Sequence, residues 1–153
     1  MQIVDILPPE AVRPSATAAS KKRVLMAAGD LAASAYGLRT DAVVAALMER
    51  ETLGPTGVGH GVALPHARLD GLDRVRGCFV RLEKPVEWEA VDRQPVDLVF
   101  CLLAPASSGV EHLKALAAVS RMMRDVDVRA KLRANADPDP LHAILTDRTA
   151  AAA

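Results

Sequence analysis

Aromatic residues are nearly missing from this chain: one Trp, one Tyr and two Phe in 153 residues, or 3%. With hydrophobic residues at 50%, the core has to be packed by Ala, Val and Leu. Neither sign of charge is in surplus, since nineteen Lys and Arg face nineteen Asp and Glu. That balance argues against a dedicated nucleic-acid binder, which needs a basic excess to meet phosphates. No apolar run reaches the roughly 18 residues of a membrane span. The opening MQIVDILPPEAVRP carries acids and prolines where a signal peptide needs a basic start and a long apolar stretch. A cytoplasmic protein, not embedded in a membrane, is the expectation. There are only two cysteines, Cys78 and Cys101, both inside apolar runs and without a short motif spacing, so two buried thiols in a reducing compartment are expected. The length suits one domain with a core of its own, and a charged share of 25% excludes disorder throughout.

What is present reads as alternating elements. Ile3 to Leu7 reads as a short strand or edge element, and Pro8, Pro9 and Pro14 as a loop after it. Ser20 is placed to cap a helix that ends at Gly37, with Val24, Ala28, Leu31 and Ala35 at helical spacing. Thr40 is placed to cap a second helix, with Val43, Val44, Leu47 and Met48 on one face, ending near Arg50. Four glycines then fall between Gly54 and Gly61, which predicts a loop with unusual backbone angles. The short apolar run Val62 to Leu64 leads to Pro65 and His66. Val75 to Leu82 alternates as a strand, with Glu83 to Glu89 as an extended arm carrying Val86 and Trp88. Pro95 to Ala104 is apolar apart from Asp97, the mark of a strand covered on both faces. After a turn at Pro105 to Gly109, helices are expected from His112 to Asp125, over Val128 to Asn135 and over Pro138 to Asp147. The whole predicts an α/β single-domain sandwich, a mixed parallel and antiparallel sheet with helices on both faces. Its boundaries are residues 1–147, with 148–153 as a flexible C-terminal tail.

The richest chemistry lies in GPTGVGHGVALPHAR. A Walker loop ends in Gly-Lys-Ser/Thr and opens a helix; this one follows a helix, lacks the Lys and opens an extended segment. A dinucleotide fingerprint fails on the same order. His66 follows a proline that fixes one backbone dihedral, which suits a side chain that must meet a group in one orientation; a surface histidine is the plainer reading. His112 begins a helical stripe with Leu116, Val119 and Met123, so its imidazole should be half-buried, either as a core-edge group or as a working one. His60 and His66 lack a third ligand nearby for a metal site, so no metal or other cofactor is expected. There is no G-x-S-x-G serine elbow, and neither thiol has an activating context.

The run Thr56 to Arg68, TGVGHGVALPHAR, closely resembles the signature of the enzyme IIA domains of the fructose–mannitol class in the bacterial phosphoenolpyruvate-dependent phosphotransferase system. The SKKR opening of the first helix (20–23), the Arg50-Glu51 step, DRQPVDLVF (92–100) and HLKAL (112–116) recur in that family's order, and their combination resembles its nitrogen-type branch. The resemblance implies that His66 accepts a phosphoryl group at Nε2, with His112 beside it. It further implies that Arg50 contacts phosphoryl oxygens, and that Gly57, Gly59, His60 and Gly61 let the backbone approach the group. His60 stands where the family commonly has Asn; both tolerate left-handed backbone. The implied protein is a carrier and regulator rather than a turnover enzyme. Its donor would be a nitrogen-type HPr homologue (NPr), charged in turn by enzyme I. Its targets would be of the kind associated with that branch: potassium transporters, sensor kinases or metabolic enzymes. The alternative is a sugar-uptake component passing phosphate to a separate EIIB.

Overall fold

Ser20 turns the chain into its first helix, as its position predicts. In the computed structural model, which describes residues 1–147, the Ser20 hydroxyl accepts the Arg23 amide at 3.2 Å. The helix α1 (Lys21–Tyr36) closes on Gly37 in the left-handed region at φ 68°. The predicted tail, 148–153, lies outside the described residues.

The elements that follow are α2 (Thr40–Leu53), β2 (Gly57–Gly59), β3 (Val62–Ala63) and β4 (His66–Leu69); β1 (Val12–Ala16) precedes α1. Then come the long strands β5 (Arg76–Val86) and β6 (Val96–Pro105), and helices α3 (Glu111–Met123), α4 (Val126–Ala134) and α5 (Pro138–Leu145). The six strands form one sheet in the order β1-β5-β6-β3-β2, with β4 also beside β6. The β5–β6 and β2–β3 pairs are antiparallel; β1–β5, β3–β6 and β4–β6 are parallel. The predicted mixed sheet is therefore the observed one. Every residue of β6 from Val96 to Ala104 is buried except Asp97, which requires cover on both faces. Helices α1, α2, α3 and α5 pack on β5, β4, β6 and β1.

The N-terminus departs from the expected strand. Ile3–Asp5 is a 3-10 turn, and the buried residues Ile3, Ile6 and Leu7 stand three and four apart, a helical rather than alternating spacing. A second 3-10 turn occupies Pro9–Ala11. The stretch expected to be a proline-broken loop then contains β1. Pro14 is tolerated there because β1 is an edge strand and its register shifts between Arg13 and Ala16. The second helix runs past Arg50 to Leu53, with Thr40 inside it and Arg39 at its N-cap. The arm after Leu82 is a continuation of β5 to Val86, and Trp88 beyond it is fully buried.

Cys78 and Cys101 face each other across β5 and β6, both free and fully buried. Burial pushes the Cys101 thiol up to about 12, and burial with Cys101 opposite raises Cys78 well above the ordinary value. Both stay protonated at neutral pH and behave as small hydrophobes. Since folding raises these pKa values, their contribution to stability is full below pH 9.0, the ordinary thiol value, and is lost as pH climbs towards 12. Iodoacetamide at pH 8 should modify neither thiol in the native protein and both in denaturant. Rapid native labelling would refute the burial.

Candidate functional site

The site is built on β4, a short strand at the side of β6. His66 and Arg68 pair in register with Leu102 and Ala104, and alternation along the strand turns both towards the same side of the sheet. The backbone before His66 is pinned: the Pro65 carbonyl accepts the Leu102 amide at 2.9 Å and the Leu64 amide donates to the Thr56 carbonyl at 3.0 Å. His66 thus opens a strand rather than ending one, and its position depends on sheet pairing as well as on the preceding proline.

Two contacts set the His66 ring. Its Nδ1 lies 2.9 Å from the Leu64 carbonyl oxygen, and Arg50 Nε lies 3.3 Å from its Nε2. A carbonyl can only accept and a guanidinium can only donate. The neutral ring therefore carries its proton on Nδ1 and presents an Nε2 lone pair to the Arg50 side. Arg50, in the last turn of α2, is itself held by Nη1 donating to the Gly54 carbonyl at 2.8 Å.

Beneath Arg50 a buried polar cluster ties α2 to the loop. The Glu51 side chain is 5% exposed and pairs with Lys21 at 3.1 Å. It also accepts from the Thr56 amide and hydroxyl. The Trp88 indole N–H donates to the Thr56 hydroxyl at 3.4 Å, and the Lys21 ammonium lies 5.5 Å from the Trp88 ring centre. Residues far apart in sequence thereby hold one end of the glycine loop.

Opposite His66 stands α3. His112 is half-buried, as its stripe predicts, and Arg68 Nη2 is 3.3 Å from its Nε2. Arg50, His66, Arg68 and His112 line a pocket of about 460 Å³, floored by Leu102 and Ala104 and edged by Glu49. Two guanidinium groups and two imidazoles against one carboxylate make it a receptacle for an anion. Three of the residues singled out in the sequence, Arg50, His66 and His112, meet here. Arg68 is not among those three, although its place two residues after His66 on a strand is the available signal.

The other four singled-out residues go elsewhere. Gly57, Gly59, His60 and Gly61 do not line this pocket. Gly57 lacks a side chain because a Cβ would stand 2.7 Å from that of Ala90. His60 is left-handed at φ 58°, the conformation expected of a His in an Asn position. Its amide donates to the Asp92 carboxylate at 2.9 Å, and its carbonyl accepts from Arg133 at 2.6 Å. The amides of His60 and Gln94 hold the Asp92 carboxyl below its usual range. Arg133 also pairs with Asp97 at 2.9 Å, the one charge in the sequence of β6. The loop's backbone freedom thus serves a turn fastened by Asp92, Asp97 and Arg133. Among the described residues no group of three His, Cys, Asp or Glu is placed to hold a metal ion.

Residues 5–148 match the family model of the phosphoenolpyruvate-dependent sugar phosphotransferase system, EIIA 2. The chain belongs to that family. Within it, the chain is similar to the nitrogen-regulatory kind. A nitrogen regulatory protein of Bradyrhizobium diazoefficiens is 45% identical over 153 residues, 100% of both chains. One from Escherichia coli K12 is 39% identical over 149 residues, 96% of this chain and 91% of the relative. The crystal structure of the nitrogen regulatory protein IIA-Ntr from Neisseria meningitidis superposes with a TM-score of 0.87 at 36% identity, covering 94% of this chain and 99% of that one. The fold and the relatives together define a phosphoryl carrier and regulator of the phosphotransferase type. Among the described residues no helix is long and apolar enough to cross a membrane.

Proposed function

We propose that the protein takes a phosphoryl group onto His66 Nε2 from a phosphohistidine on an HPr-like carrier of the NPr type, and regulates cytoplasmic targets according to its phosphorylation state. The observation that carries this reading is the paired set of contacts on His66, which leaves Nε2 as the lone-pair nitrogen beside a guanidinium.

The chemistry balances without a proton transfer. The Nε2 lone pair forms the new P–N bond as the donor's P–N bond breaks, and the donor ring, protonated on its other nitrogen, leaves with the electron pair as neutral imidazole. His66 keeps its Nδ1 proton and becomes cationic, and the Leu64 carbonyl at 2.9 Å stabilises that charge. A transferring phosphoryl group spreads negative charge over its oxygens, so the protein's task is positioning and electrostatics. Arg50 supplies a fixed fork on one side and His112 an imidazole on the other. The phosphoryl oxygens bring about −1.5 to −2 of charge, partly offset by the cationic ring, and the more negative pocket surface alters which partner surfaces fit it. The relatives' name, nitrogen regulatory protein, favours this role over sugar uptake. Rapid dephosphorylation by a sugar-specific EIIB would reverse that preference. Potassium transporters and sensor kinases are the target classes to test first.

The test is intact-protein mass after incubation with phosphoenolpyruvate, enzyme I and an NPr-type carrier. One acid-labile phosphoryl group is expected; no gain with any HPr-type donor would refute the carrier reading. Arg50→Lys should slow acceptance by about tenfold or more, because a point charge cannot hold both the Gly54 carbonyl and the phosphoryl oxygens. An unchanged single-turnover rate would remove Arg50 from the mechanism.

A further inference from the structure

We infer that Arg68 is a second phosphoryl-binding cation of this pocket, held on His112 until the group arrives; the inference rests on the carrier reading above.

Arg68 shares its side of the sheet with His66 and lines the same pocket as His66 and Arg50. Its present engagement is slight. Arg133 and Arg39 are paired with Asp97 and Asp41, and Arg81 donates to the carbonyls of Pro14, Leu132 and Arg133. Among the described residues no carboxylate pairs with Arg68; its contact is the 3.3 Å approach to the His112 ring. A guanidinium has five N–H donors, and a neutral imidazole nitrogen satisfies one of them. The rest point to a partner with several acceptor oxygens, which a phosphoryl group supplies in bidentate geometry.

His112 carries the complementary signal. Arg68 can only donate, so Nε2 accepts and the neutral ring has its proton on Nδ1. That Nδ1 is buried and has no hydrogen-bond partner among the described residues. A buried N–H without an acceptor is less tolerable than a lone pair without a donor. When Arg68 moves to the phosphoryl oxygens, the ring can take its other tautomer. Nε2–H then donates to an oxygen of the group, and Nδ1 is left as a lone pair. One proton leaves Nδ1 and one binds Nε2, so none is gained overall. The free protein thus holds a cation and an imidazole against each other, and the phosphoryl group satisfies both.

The test uses the full chain as wild type, Arg68→Gln and Arg68→Lys. Each is loaded in parallel by the protein donor and by phosphoramidate, a small phosphoryl donor that needs no docking surface. Arg68→Gln should slow loading by about tenfold or more with both donors. It should also move the ³¹P resonance of the loaded group at neutral pH, because a guanidinium on its oxygens is lost. Arg68→Lys should recover part of both effects. Arg68 is exposed, so the melting temperature should hardly change; were the Gln variant to unfold, the Lys variant decides. Slowing with the protein donor alone would make Arg68 a docking residue and overturn the inference, as would an unmoved ³¹P resonance. Wild type that loads from neither donor would refute the carrier reading itself; wild type that loads while Arg68→Gln matches it would refute only this inference.

Discussion

His66→Ala is expected to take up no phosphoryl group under conditions that fully load the wild type, and to remain folded. The loss should be complete because the nucleophile itself is removed. His142 is engaged through Nε2 with the Leu7 carbonyl at 2.9 Å, and His60 lies on a turn outside the pocket. His112 is the instructive competitor, since it lines the same pocket. Its Nε2 is engaged by Arg68 as that of His66 is by Arg50, and its Nδ1 is buried, so the alanine variant tests directly which of the two rings accepts the group. Folding should survive because His66 is only partly buried and gives up two hydrogen bonds, to the Leu64 carbonyl and from Arg50, each worth about 1 kcal/mol. Intact mass and thermal unfolding on the same sample decide the matter. A phosphoryl group on the alanine variant would move the acceptor to another histidine.

Glu51→Ala is expected to be the most damaging single change to the scaffold of the site, lowering stability by about 3 kcal/mol or more. Its carboxylate joins Lys21 and Thr56 in a nearly dry setting. Alanine would leave a mostly buried ammonium with only the exposed Glu89 carboxylate, at 3.9 Å, and the Thr56 amide without its acceptor. Glu51→Gln keeps an acceptor for Thr56 while removing the ion pair, so it should fall between alanine and wild type. Urea unfolding would show the order in midpoints at constant slope. The functional consequence follows from chain connectivity: Arg50 precedes Glu51, and its guanidinium depends on the Gly54 carbonyl in the same short segment. Phosphoryl acceptance should fall in the alanine variant even where it is still folded. Equal stability of the alanine variant and wild type would show that the cluster contributes nothing net, as some buried ion pairs do.

Much of the fold is legible in the residues alone. Ser20 and Gly37 delimit the first helix because capping is a local event: a hydroxyl three residues from an amide and a glycine that accepts a left-handed angle. The run from Pro95 to Ala104 marks a doubly covered strand because burial on both faces removes polar alternation. By contrast, Ile3 to Leu7 points to a strand and forms a 3-10 turn. So short a run, broken only by Asp5, fits either period, and the core it meets selects the turn. Pro14 conceals β1, since proline breaks a strand anywhere but on an edge.

The helices, the buried strand and the family are legible along the chain because caps, periodicity and ordered motifs act over a few residues, and Arg50, His66 and His112, named there as candidates, line one pocket. What those residues touch is set by packing between distant segments. Arg50 reaches His66 across 16 residues, Arg68 reaches His112 across 44, and Arg133 fastens the glycine loop at His60 across 73. Such contacts are set by strand register and helix docking, where a polar side chain finds a partner from whatever segment the packed core brings beside it. For the same reason the turn of the glycine loop is fastened by Asp92 and Arg133, which no local spacing announces. Arg68, one basic residue among nineteen, stands beside His66 in the pocket.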